Sequence, residues 1–128
     1  MPEKIASLLQ QVAGLPAADR IWVFGSVARQ DKVPGDLDLV LDATDCATWS
    51  DVTETYGPTL RGLLGLARQH YGWLDPFVQT KRVLAVRNPD ATAWVKAQKS
   101  KCLRAAIARD GKPLADVVNG GLIIQAKY

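Results

Sequence analysis

The sequence predicts an α/β or α+β sandwich, because amphipathic helices alternate with short apolar strands along its 128 residues. Residues 3–13 carry apolar side chains at helical spacing, which predicts a first helix that ends at Gly14. Residues 20–24 and 36–41 are short apolar runs bounded by turn residues, a pattern typical of strands. Between these strands, the pattern predicts a helix that begins at Ser26.

Turn residues divide the middle of the chain into further elements. Helical patterns at 47–55 and 60–71 are separated by Gly57-Pro58, so the sequence predicts two helices there. Residues 73–80 and 82–86 are two apolar runs that predict a β-hairpin.

The last third of the chain is predicted to contain the longest helix. Residues 91–109 form this helix in the prediction, with Asp90 as its N-cap and Asp110-Gly111 after its end. The tail 114–128 is predicted to hold a short helix and then an apolar run that forms an edge strand or a partner contact.

Composition is that of an ordinary globular protein forming a single domain over 1–128, with 48% apolar and 23% charged residues. The net charge of +3 favours anionic ligands, but the charges are scattered, so charge alone does not indicate nucleic-acid binding. No apolar run approaches the roughly 20 residues that cross a bilayer. Cys46 and Cys102 lack metal-ligand spacing, and no leader is recognisable, so we expect a cytoplasmic protein with two free thiols.

The candidate functional residues lie where the first two strands end and begin. Gly25-Ser26 follows the first strand, and glycine lets the backbone approach an anion closely. Asp36 and Asp38 come nine residues later and project from the same face of a strand, about 6–7 Å apart. Two neighbouring carboxylates repel unless a cation neutralises them, and oxygen ligands suit Mg²⁺. A phosphate site beside a metal site indicates nucleotide chemistry.

This arrangement resembles the signature of the DNA-polymerase-β-like nucleotidyltransferase superfamily, over roughly residues 20–114. Arg29 extends the likeness, because small bacterial members commonly read Phe-Gly-Ser-x-Ala-Arg and this chain reads Phe-Gly-Ser-Val-Ala-Arg from Phe24. The minimal nucleotidyltransferases, often paired with helical toxins, are the most similar subgroup by size. The resemblance implies a small mixed β-sheet flanked by helices.

The resemblance also implies a site. Asp36, Asp38 and a third acid, matched here by Asp75, would be catalytic and would bind Mg²⁺. Gly25, Ser26 and Arg29 would contact the nucleoside triphosphate. The implied reaction transfers a nucleoside monophosphate to a hydroxyl acceptor on a protein or other macromolecule. In the setting of a toxin–antitoxin pair, the chain would be the antitoxin. The acceptor site would come from a dimer mate, another protein or a groove.

Each of these residues also has a purely structural interpretation. Arg29 either binds phosphate or pairs with a nearby acid, and Asp75 is either a metal ligand or a cap or surface acid. Pro76 donates nothing to a β-ladder, which limits the Asp75 segment to an edge strand, a strand start or a bulge. Arg87, like Lys81 and Arg82, would face the triphosphate, an acidic partner or solvent. The functional alternative to an enzyme is a catalytically inactive module of the same fold that binds a nucleotide or a partner.

Overall fold

A computed structural model describes residues 1–119, and within that range six strands form one mixed sheet. The strands are β1 (Ile21–Phe24), β2 (Leu37–Ala43), β3 (Leu74–Thr80), β4 (Leu84–Arg87), β5 (Trp94–Lys96) and β6 (Lys112–Pro113). Their order is β5-β4-β3-β2-β1-β6. Strands β2 and β3 run parallel, and every other neighbouring pair is antiparallel.

Helices pack against both faces of this sheet, which confirms the predicted α+β sandwich. The helices are α1 (Glu3–Ala13), α2 (Gly25–Ala28), α3 (Trp49–Gln69) and α4 (Ser100–Asp110). A 3-10 turn spans Ala18–Arg20, and residues 114–119 are also helical. The apolar run predicted after residue 120 lies outside the described residues. Among the described helices, none combines the length and the apolar character of a membrane-spanning segment.

Two hydrophobic cores lie on opposite faces of the sheet, because successive strand residues point to opposite sides. The larger core joins α1 and α3 to one face, where Leu37, Leu39 and Leu41 of β2 are buried. The smaller core lies under α4 and includes Val40 of β2 and Phe24 of β1. Asp38 shares the face of Val40, so the site lies at the margin of the smaller core.

The predicted break in the third helical region is present as a kink at Tyr56, within the span of α3. Helix α3 contains Pro58 and departs from helical geometry at Tyr56, where φ is −120° and ψ is 16°. Proline removes one helical hydrogen bond and its ring displaces the carbonyl four residues earlier, which bends a helix. The kink divides α3 into two helical stretches, which confirms the predicted break between two helices near Gly57-Pro58.

The prediction of one long helix over 91–109 was wrong. Strand β5 occupies its first part, and helix α4 begins only at Ser100. The Asn88 side chain accepts hydrogen bonds from the backbone amides of Thr92 and Ala93 at 2.8 and 3.1 Å. Ala91 adopts a left-handed conformation with φ of 54°. An asparagine that binds local amides competes with helix formation, and here it forms a loop that delivers β5 to the sheet edge.

Pro76 is accommodated near the start of an interior strand. Strand β3 lies between β2 and β4, and Pro76 is opposite Leu39 of β2. Pairing with β4 begins one residue later, at Phe77. The missing N–H of the proline therefore falls before the antiparallel ladder, although Pro76 is the third residue of an interior strand rather than its first.

Candidate metal and nucleotide site

Three carboxylates from two parallel strands converge at one place. Asp36, Asp38 and Asp75 each offer an oxygen, and these three oxygens lie within 4.8 Å of one another. The register of the parallel pair places Asp38 directly opposite Asp75. Asp36 joins them because it precedes β2 by one residue and shares the side of Asp38. The structure therefore brings together the three acids that the sequence suggested.

The acids are crowded and partly withdrawn from water. Partial burial, followed by the charges of Asp36 and Asp75, raises the pKa of Asp38 to about 7. Burial also raises the pKa of Asp75 to about 6, with further contributions from its hydrogen bond to Asp36 and from the Asp36 charge. Near neutral pH the cluster consequently shares a proton. A divalent cation would replace that proton, and three carboxylate oxygens are the ligand chemistry that Mg²⁺ takes.

The glycine turn lies directly against this cluster. Gly25 has a φ of 75°, a left-handed conformation that side chains rarely adopt. A Cβ atom added at Gly25 would overlap a carboxylate oxygen of Asp38. The connection from β1 to α2 therefore reaches the acids only because residue 25 has no side chain. The structure thus places the predicted phosphate turn beside the predicted metal ligands.

Ser26 connects this turn to the loop that leads into β2. Its Oγ accepts a hydrogen bond of 3.2 Å from the backbone N–H of Gly35, next to Asp36. The serine is only partly exposed. The contact fixes the entry of the second strand relative to the glycine turn.

Arg29 is paired with two acids. Its guanidinium donates to Asp31 and to Asp110, each at 3.0 Å. The Arg29 side chain is still 43% exposed, and its charge partly offsets the raised pKa of Asp38. Of the two roles predicted for Arg29, pairing with a nearby acid is thus observed. Contact with phosphate stays a prediction.

Arg87 is a site residue that the sequence did not single out from other basic residues. Its Nη2 donates to Asp75 Oδ1 at 3.0 Å, and the side chain is only 17% exposed. Its Nη1 donates to the carbonyls of Asn88 and Pro89, and the guanidinium lies over the Tyr71 ring. This ion pair lowers the pKa of Asp75 against the effects of burial and Asp36. The ion pair between Arg87 and Asp75 depends on the register of β4 against β3. Turn residues do not fix this register, so the sequence could not single out Arg87.

The other residues considered with Arg87 lie elsewhere. Lys81 and Arg82 are exposed in the β3–β4 turn, at the far end of β3 from Asp75. An apolar groove of about 230 Å³ near that end is lined in part by Trp49 and Trp94, and none of the three acids lines it. Both cysteines are free thiols, as expected.

Comparison of the chain with protein-family models, with curated proteins and with solved structures finds no significant match.

Proposed function

We propose that this chain is a Mg²⁺-dependent nucleotidyltransferase that moves a nucleoside monophosphate from a nucleoside triphosphate to a hydroxyl acceptor. The observation that carries the proposal is the convergence of three carboxylates beside a glycine turn with no room for a side chain. The resemblance of the Gly-Ser and Asp-x-Asp motifs to the polymerase-β-like superfamily supports the same reaction. The acceptor is proposed to be a protein or another macromolecule.

Each residue has a defined part in this proposal. Asp36 and Asp38 would hold the cation, and the Gly25-Ser26 turn would contact the outer phosphates. Bound Mg²⁺ would neutralise the triphosphate and lower the pKa of the acceptor hydroxyl. Asp75 lies on the β3 side of the cluster, where it would orient the acceptor and take its proton, since a pKa of about 6 leaves it largely ionised at neutral pH.

The reaction forms one bond and breaks one. The acceptor oxygen forms a bond to the α-phosphorus, and the bond from that phosphorus to the bridging oxygen of the β-phosphate breaks. Pyrophosphate leaves with the electron pair, and the acceptor proton goes to Asp75. Little covalent work is required of the protein, because positioning and charge neutralisation dominate such transfers.

The cellular setting follows from the resemblance alone. The chain is proposed to act in the cytoplasm as the antitoxin of a toxin–antitoxin pair, with a small all-helical toxin or a second copy of the chain supplying the acceptor site. The gene adjacent to this one provides a direct check, because an all-helical neighbour is expected.

A second candidate is a module that binds a nucleotide without turnover. The ion pair between Arg87 and Asp75 favours this alternative, since it occupies one oxygen of the third carboxylate. In this case Asp36 and Asp38 would still bind a metal–nucleotide complex. Turnover measured alongside binding separates the two candidates.

The test compares the natural protein with Asp38→Asn and with Asp42→Asn. Asp42 is a matched control, because it lies on the same strand and face as Asp38 but about 13 Å further along. Calorimetry with Mn²⁺ and each of the four ribonucleoside triphosphates measures binding, and pyrophosphate release measures turnover. We expect Asp38→Asn to lose binding and Asp42→Asn to keep it. Equal binding by the natural protein and Asp38→Asn would contradict the proposal.

A further inference from the structure

A buried carboxylate lies behind the glycine turn, outside the three-acid cluster. Asp110 is the last residue of α4, and its side chain is 5% exposed. It accepts hydrogen bonds from Arg29 Nη1 at 3.0 Å and from Arg109 Nε and Nη2 at 3.0 and 3.1 Å. These hydrogen bonds, first from Arg109 and then from Arg29, lower the pKa of Asp110. The carboxylate is therefore a fixed negative charge shared by two arginines.

The same region of the fold also holds helix α2 in place. Lys112, in β6, donates from Nζ to the carbonyl of Ala28 at 2.7 Å, at the end of α2. Arg29 is the residue that follows α2, so its backbone and its guanidinium are both held by the end of α4 and the strand after it. Each of these two contacts joins residues more than 80 positions apart in sequence, and together they fix the position of Arg29.

Arg29 acts electrostatically on the acid cluster from this position. Its positive charge acts on Asp38, where it opposes the effects of burial. The guanidinium has five N–H donors in a rigid plane, and its hydrogen bonds to Asp31 and Asp110 use two of them. Three of the five donors therefore remain without a hydrogen bond to these two acids. The side chain is 43% exposed, and Arg29 lies at the opposite end of the short helix α2 from Gly25.

We propose that Asp110 is a positioning residue, which holds the Arg29 guanidinium where it can bind the triphosphate. The inference rests on the proposed function, because it assigns Arg29 to the nucleotide. Asp31 also pairs with Arg29, but it is exposed to solvent, and exposed ion pairs hold side chains weakly. Asp110 is buried and bound to Arg109 as well, so it is the partner that determines the position of Arg29.

The experiment measures two affinities for each variant by calorimetry: that of Mn²⁺ alone and that of Mn²⁺ with each ribonucleoside triphosphate. We expect Asp110→Asn to weaken binding of the metal–nucleotide complex about tenfold, because a charge-assisted contact to the guanidinium is lost. The affinity for Mn²⁺ alone should change less than twofold. Asp31→Asn serves as the control, and it is expected to change nucleotide affinity less than twofold, because the Asp31 side chain is exposed.

A double variant distinguishes positioning from a structural role. If Asp110 acts through Arg29, Arg29→Gln combined with Asp110→Asn should bind nucleotide as weakly as Arg29→Gln alone. Additive losses would overturn the inference, as would unchanged nucleotide affinity in Asp110→Asn. If Asp110→Asn fails to fold, Asp110→Glu keeps the charge but displaces it by one methylene, and an unaltered affinity there overturns the inference. Absence of nucleotide binding by the natural protein would overturn the proposed function together with this inference.

Discussion

Replacing Asp38 with asparagine is expected to stabilise the metal-free protein at pH 8 and to have little effect at pH 4. Asp38 is a partly buried carboxylate beside Asp36 and Asp75, and its pKa is raised to about 7. Asparagine has nearly the same shape but does not ionise. The substitution therefore removes the cost of holding a third negative charge in the cluster without opening a cavity.

The sign and size of the effect follow from proton binding. An aspartate in the unfolded chain has a pKa of about 3.9, so between about pH 4 and pH 7 the folded protein keeps a proton that the unfolded chain has lost. The free energy of unfolding therefore falls as pH rises through this window and is level above it. A difference of about three pH units corresponds to about 4 kcal/mol. Screening by solvent at a partly open site reduces this to about 2 kcal/mol.

Urea unfolding followed by tryptophan fluorescence, with a chelator present, measures this free energy at pH 4, 6 and 8. The quantity of interest is the difference between Asp38→Asn and the natural protein, because groups outside the cluster titrate equally in both. We expect this difference to grow from near zero at pH 4 to about 2 kcal/mol at pH 8. Added Mg²⁺ should stabilise the natural protein at pH 8 and leave Asp38→Asn unchanged.

Asp42→Asn is the control for removing a carboxylate from the same strand, since Asp42 lies outside the cluster. The reasoning is refuted if Asp38→Asn is the less stable protein at pH 8. It is refuted equally if the two proteins differ by the same amount at every pH. Either result would mean that the three acids do not disfavour ionisation of Asp38.

Three further substitutions test other parts of the structure. Gly25→Ala should destabilise the protein by about 1–2 kcal/mol in urea unfolding, because a Cβ in a left-handed conformation overlaps Asp38. The same substitution should abolish metal–nucleotide binding, and normal binding would contradict this placement of the turn. Arg87→Met removes the cation that lowers the pKa of Asp75, so the acidic limb of a pH–rate profile should move to higher pH. Leu63→Ala should cost about 2–5 kcal/mol in the same unfolding assay, because this side chain is buried in the larger core.

Much of the site could be predicted from strand periodicity. Alternation along residues 36–41 separates the leucines from the acids, and the structure buries those leucines in one core while the acids lie at the margin of the other. Helix α1 has the predicted bounds, because its apolar stripe is regular and ends at Gly14. Local patterns were sufficient wherever an element has one apolar side.

Patterns failed where a single side chain redirects the backbone. Nothing in the composition of residues 91–109 excludes a helix, yet Asn88 binds two amides of the following loop and diverts the chain into β5. Periodicity also does not set the register of β2 against β3, and Asp75 was identified through a resemblance. The ion pairs Arg29–Asp110 and Arg87–Asp75 join residues that are distant in sequence or on different strands, so no local signal marks them.

These ion pairs determine the charge that the acid cluster presents. Arg87 neutralises one of the three carboxylates through Asp75, whereas the charge of Arg29 is already shared between Asp31 and Asp110. The formal charge left on the cluster is therefore about two negative units when every acid is ionised. Burial, followed by the neighbouring acids, raises the pKa values of Asp38 and Asp75, so protons reduce this charge below neutral pH. A single divalent cation would neutralise the same charge in place of those protons, so its binding would strengthen as pH rises. If the burial of Asp38 served stability alone, a further arginine beside the cluster would stabilise the fold more than the remaining negative charge does.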